Sequence, residues 1–274
     1  MKAFIENLLE RKYNFNDEIL AINRLFTMVK YYESIKTHCS KKFLSWKHRN
    51  NFISLSDMCD SLGISDIEKK AKNKLQQNTL EDLIVYCEYI TNIMNISNDF
   101  ILNRDNYFAE SIKQNIRNIL NCINYEIRYF KSEDYFKILE KDWQVTEAAE
   151  IVQDDHNLGE LIYEYRHHSL KGKLYDKADR LCRLYKYFEG IAGKLKSNQH
   201  ANLASDIGAL CDKLDIRHKP SKSEKIVIDG LTQEELENWY DELFKLFLQA
   251  IIISDFIDKR KDINELKVKL TKKD

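Results

Sequence analysis

The sequence predicts an all-α, multi-helix bundle, interrupted at most by one small β-hairpin near residues 125–140. Three observations lead there. The 274 residues hold a single proline and seven glycines, few of the breakers that tight turns need. Apolar residues, 43% of the chain, recur with helical spacing in segment after segment. Charged residues, at 32%, suffice to solvate the outer faces of amphipathic helices.

The elements follow in order. After a short N-terminal helix, Asn16 is placed to cap a second one running to about Ser34, with Ile19, Ile22, Phe26, Val29 and Tyr32 on one side. Residues 37–55 read as a basic loop plus a short helix. Ser56 starts a brief helix that Gly63 ends in the left-handed conformation glycine tolerates best. Ser65-Asp66-Ile67-Glu68 has the capping-box pattern. Thr79 caps a helix carrying Leu80, Leu83, Cys87, Ile90 and Met94, and Phe108, Ile112, Ile116, Ile119 and Ile123 mark the next. Then the period changes. Tyr125, Ile127 and Tyr129 alternate with polar residues, Lys131-Ser132-Glu133-Asp134 has turn chemistry, and an apolar run, Tyr135 to Leu139, follows: a hairpin.

Helices resume from Thr146 to about Leu170, with Gly159 a candidate break, then over about 174–195 and 198–214. Asp215 to Gly230, with the sole proline Pro220, is the longest irregular stretch. Thr232-Gln233-Glu234-Glu235 is a second capping box opening a helix over 233–257. Its apolar face of Leu236, Tyr240, Leu243, Phe247, Ala250 and Ile257 is widened by Trp239, Leu246 and Ile253, which suits the centre of a bundle. The charged tail after Lys259 is expected to fray, with room for a short last helix around Ile263–Leu270. The hairpin suggests a division into an N-terminal helical region, 1–123, and a C-terminal helical region, 124–274; one continuous domain is the alternative.

Several function classes lose their signals. There is no Walker loop, dinucleotide fingerprint, HExxH or GxSxG. The six cysteines show no CxxC or Cys/His ligand spacing and read as small reduced hydrophobes. Neither a metal nor a cofactor is expected. The first residues, Met1 to Asn7, lack the apolar core of a signal peptide, and the most apolar run, Leu243 to Ile253, is too short to cross a bilayer, so a cytoplasmic protein without membrane partners is expected.

Net charge is −1, but its distribution is uneven. Residues 131–165 carry ten acids against three lysines, and residues 166–200 carry nine Lys/Arg against three acids. The basic stretch opens on Tyr165-Arg166-His167-His168-Ser169-Leu170-Lys171-Gly172-Lys173. Two adjacent histidines on a helix would point about 100° apart and could not chelate one metal. Arginine and histidine together suit a phosphodiester: guanidinium stabilises charge on phosphate while imidazole moves the proton. The plainer reading is that these cations serve a helix C-terminus, where carbonyls need donors. A second cluster, Ile216-Arg217-His218-Lys219-Pro220, opens the long loop, and there the plainer reading is that Ile216 seals the core. If the clusters meet, Arg166, His167, His168, Arg217 and His218 are the catalytic candidates, with Lys171, Lys173 and Lys219 contacting RNA. Asp154-Asp155-His156 is a weak metal signal, and Tyr185-Lys186-Tyr187-Phe188 reads as core before it reads as a base-stacking surface.

Tyr165-Arg166-His167-His168, Asp215-Ile216-Arg217-His218 and the Leu231–Tyr240 helix start give the second half, over about 146–257, a resemblance to HEPN-like helical proteins of phage-defence and abortive-infection loci. The resemblance implies a helical bundle that commonly dimerises and, in active members, metal-independent RNA cleavage through an Arg-x(4–6)-His motif. No arginine here has a histidine at that spacing; Lys171 stands where the one following Arg166 would fall. Two functions are therefore expected: metal-independent RNA cleavage or RNA binding in phage defence or stress response, or a non-catalytic helical module that docks a protein partner or a second copy within a defence or toxin–antitoxin assembly.

Overall fold

The computed structural model describes residues 14–29, 33–73, 75–97, 107–153, 157–217 and 228–271. Among these lie eleven α-helices and one two-stranded antiparallel hairpin, the predicted all-α bundle with its small sheet. None of the helices is long and apolar enough to cross a membrane. The chain forms two compact units, Met1–Glu140 and Lys141–Asp274, so the hairpin closes the first unit. The short N-terminal helix expected before residue 14, the Asp154-Asp155-His156 trio and most of the 215–230 stretch lie outside the described residues.

In the first unit, α1 (Phe15–Thr27) buries Phe15, Ile19, Ile22 and Phe26. Its cap is Asn14, which accepts from the Asn16 and Asp17 amides, and not Asn16. Asn16 faces inward instead. Its carboxamide donates to Gln76 O at 2.7 Å and accepts from the backbone and side chain of Asn78 at 2.9 and 2.8 Å. The helix ends at Thr27, short of the predicted Ser34, and Val29 beyond it is exposed. Ser34 caps α2 (Ile35–Lys42). α3 (Leu55–Ser61) is capped by Ser54, and Gly63, at φ +72°, turns the chain into α4 (Ile64–Lys72). That early start places Ser65 inside α4, so the predicted 65–68 capping box does not form and Glu68 pairs with Lys36 at 3.2 Å. The Thr79 box does form, with Asp82, and opens α5 (Leu80–Ile93). α6 (Tyr107–Cys122) leads into the hairpin.

The strands β1 (Tyr125–Phe130) and β2 (Tyr135–Glu140) pair with Tyr125 opposite Glu140 and Phe130 opposite Tyr135. A two-stranded ribbon exposes an unpaired edge. Here α5 covers it with side chains. Asn92 donates to Phe136 O at 2.7 Å and accepts from its N–H at 2.9 Å, while Glu88 accepts from the Ile138 N–H at 2.7 Å. An amide and a carboxylate thus act as a third strand.

The second unit comprises α7 (Trp143–Ile151), α8 (Leu158–Tyr165), α9 (Leu174–Ser197), α10 (Ala201–Lys213) and α11 (Gln233–Thr271). The predicted helix from Thr146 to Leu170 is therefore two helices and a one-turn 3-10 helix at His168–Leu170. α11 packs on α7, α9 and α10 as expected of a central helix, and buries Leu236, Tyr240, Leu243, Phe244, Phe247 and Ala250. The Thr232–Glu235 box opens it. Contrary to the expected fraying, it continues unbroken through Lys259 to Thr271. No glycine or proline interrupts it, and a Lys259–Asp255 pair at 2.7 Å spans the point where packing ends.

Candidate functional site

The Arg–His sequence at 166–168 occupies the turn between α8 and α9. Arg166 is the C-cap of α8, its N–H returning to Tyr163 O at 3.1 Å. The chain then leaves helical geometry: His167 is extended, at φ −71° and ψ 137°, and starts the 3-10 turn. The divergence expected of neighbouring histidines on one helix does not apply, because His167 is not helical. The two rings lie 4.1 Å apart between centroids, tilted by 44°. His167 is buried, with Nδ1 2.7 Å from Ser169 Oγ and within 3.4 Å of the Ser169 amide it caps. Arg166 lies 3.9 Å from Asp142, the residue that caps α7. Lys171 and Lys173 are exposed on either side of Gly172, whose φ of +73° makes the final bend into α9.

Beneath this turn lies a charged cluster that motif reading passed over. Lys177 of α9 is buried and reaches Asp241 at 2.6 Å and Glu237 at 2.8 Å, one turn apart on α11. The Tyr165 hydroxyl donates to Asp241 at 3.1 Å, its ring stacks on Phe244 at 4.1 Å, and Lys177 Nζ stands 5.4 Å from the ring centroid. Glu237 also accepts from the Gly172 amide at 2.8 Å, tying the turn to α11. Burial pushes the Tyr165 phenol well above its usual range, and the Asp241 carboxylate pushes it further. For Glu237, burial acts upward, but the hydrogen bonds from Lys177 and Gly172 outweigh it and hold the carboxyl below the usual range. The signal for this cluster was present in the sequence: Glu237 and Asp241 are an i,i+4 acid pair beside an apolar stripe, which calls for a cation.

The second cluster is built differently. α10 ends in a Schellman turn, with Asp215 at φ +52° and the Ile216 N–H returning to Cys211 O at 2.9 Å. Ile216 is fully buried, so it seals the core. Arg217 is held by Asp212 through both Nε and a terminal nitrogen, the latter at 2.8 Å, and its guanidinium lies 5.6 Å from the Tyr185 ring centroid. Tyr185 and Phe188 are core residues. His218 and Lys219 lie outside the described residues.

α9 relates the two clusters. Glu164, two residues before Arg166, binds Arg180 at 3.0 Å, and Arg217 covers Tyr185. Five residues on a helix are about 7.5 Å along the axis and about 140° around it. Glu164 and Arg217 therefore meet α9 at neighbouring levels and on different sides, while Arg166 and Arg217 each have a carboxylate close by, Asp142 and Asp212. No protein-family model, curated protein or solved structure matches the chain.

Proposed function

We propose that this chain is a non-catalytic helical interaction module, a cytoplasmic protein that docks a protein partner in the kind of defence or toxin–antitoxin assembly its sequence resembles. One observation carries the reading: two of the groups that would act on a phosphodiester, Arg217 and His167, are engaged in holding turns. Arg217 is clamped by Asp212, and His167 is buried as the cap of its own turn. A phosphate at Arg217 would compete with the carboxylate of Asp212, which already uses both Nε and a terminal nitrogen of the guanidinium.

The RNA-directed reading keeps a specific support of its own. Arg217 lies over Tyr185 of α9, and the exposed Lys171 and Lys173 stand at the start of that helix. One assay decides between the two. Incubated with mixed-sequence RNA, with and without chelator, the protein is expected to leave it intact. Chelator-insensitive cleavage that His168→Ala or Arg217→Ala abolishes would establish the nuclease and overturn the docking module.

A further inference from the structure

The last quarter of the chain carries a surface that the bundle does not use. From Lys259 to Leu270 every residue of α11 is exposed, although the helix continues to Thr271. A helical extension of this length is marginal in water on its own. It also carries large apolar side chains in the open: Phe256 is 57% exposed, Ile263 48%, Leu266 56% and Leu270 59%. At 100° per residue these four fall within an arc of about 80°. Partly buried Ile252 lies on the same line, so the stripe runs out of the bundle without a break.

The spacing is heptad. With Phe256 at a, Ile263 and Leu270 are also at a, while Ile252 and Leu266 are at d. The slow drift of the stripe around the helix is the one a left-handed supercoil removes. Lys259 occupies the remaining d position, where Asp255 draws its ammonium to the flank and leaves the stem along the seam.

The charges beside the seam select the partner. Within the segment, positions g hold Asp255, Asp262 and Lys269, and positions e hold Ile253, Arg260 and Lys267. In a parallel pair, each g residue faces the e residue five positions later on the other helix. Asp255 then meets Arg260 of the second copy, Asp262 meets Lys267 of the second copy, and symmetry repeats both pairs. An antiparallel pair in full overlap would instead set Arg260 against Arg260 and Asp262 against Asp262, leaving Asp255 with Lys269 as its attractive pairing.

We propose that residues 252–270 of α11 form a parallel, two-stranded coiled coil with the same segment of a second copy of this chain. The inference rests on the interaction-module reading and names the partner. Its seam spans about 27 Å, from 18 steps of about 1.5 Å each. A dimer held there dissociates on dilution, as mass action requires.

Sedimentation of the full chain over a range of concentrations tests this. Wild type is expected to shift from monomer to dimer as concentration rises. Ile263→Asp or Leu266→Asp should leave a monomer whose helical circular dichroism outside this segment is kept. Asp262→Lys should weaken the dimer roughly tenfold by turning attraction into repulsion, and adding Lys267→Asp should restore it. An antiparallel pair would show neither effect. Wild type that stays monomeric at the highest concentration it tolerates overturns the inference and leaves the stripe to another partner. A dimer indifferent to the seam and charge variants overturns it too. RNA cleavage is read in a separate assay, so failure of the interaction reading and failure of the dimer are told apart.

Discussion

The two units bury polar groups in opposite ways. In the first, the interior polar contacts are largely amides: Asn16 with Asn78 and Gln76, and Asn92 with the edge of β2. In the second, the interior contact is ionic: Lys177 between Glu237 and Asp241, with Tyr165 on one side. An amide network loses little when the solution changes, because nothing in it titrates near neutral pH. An ionic network answers to pH and is asymmetric under mutation: deleting one member strands the rest in a poor solvent, whereas replacing all of them with apolar groups need cost nothing. The same cluster secures the turn that carries Arg166, His167 and His168, so stability at that end of the second unit depends on charge.

The largest effect should come from Lys177→Ala, which leaves two carboxylates facing each other without a cation. Lys177 is buried but Glu237 and Asp241 keep some solvent, so a loss of about 2–3 kcal/mol is expected, read as faster hydrogen exchange in α9 and α11 with α1 and α4 unchanged. A triple change, Lys177→Met with Glu237→Gln and Asp241→Asn, should recover most of it. If Lys177→Ala cost only a few tenths of a kcal/mol, the cluster would be a solvated surface pair, and the contrast between the units would dissolve.

Next in size is Asn16→Ala, which takes the partner from the Gln76 carbonyl and from the Asn78 backbone N–H; about 2 kcal/mol is expected, confined to the first unit. Its size should not vary across the range where carboxylates titrate. Glu237 should behave otherwise. A carboxyl held below its usual range stabilises fully above its unfolded value, about pH 4.5, and that contribution is lost as pH falls through the lowered native value. Acid titration followed by exchange should thus loosen the α9–α11 contact in wild type, with a smaller change in Glu237→Gln. A Glu237→Gln profile identical to wild type would remove the carboxylate from the argument.

What the sequence disclosed follows the same division between local and distant causes. The hairpin, the Thr79 and Thr232 caps, Gly63 and the central place of α11 were all legible, because each is written in a few consecutive residues or in one period. The Ser65 box misled because the same four-residue pattern can lie within the first turn of a helix that Gly63 has already started two residues earlier. Asn16 misled because a capping residue type, two positions past the real cap, was needed by Asn78, 62 residues away. The Arg–His turn misled in geometry: one extended residue at His167 swings the rings together, and no helical wheel contains that residue. The continuous end of α11 was missed because charge was read as fraying, although no glycine or proline breaks the segment and the Asp255–Lys259 and Asp258–Lys261 pairs span the point where it leaves the bundle.

The smallest effect should be the one the units share. Each has a helix opened by a reciprocal threonine–carboxylate box: Thr79 with Asp82, at 3.1 and 2.9 Å, and Thr232 with Glu235, at 3.2 and 2.9 Å. The hydroxyl satisfies one orphan amide in each case, and both boxes face water. Thr79→Ala and Thr232→Ala should therefore each cost about 1 kcal/mol, each measured by exchange in its own unit. Equal costs would locate the difference between the units in their interiors, where one uses amides and the other ions. A Thr232→Ala cost well above that of Thr79→Ala would carry the difference out to the helix start, because α11 begins only a few residues before Glu237, and a loosened first turn would withdraw the carboxylate that Lys177 and Gly172 both use.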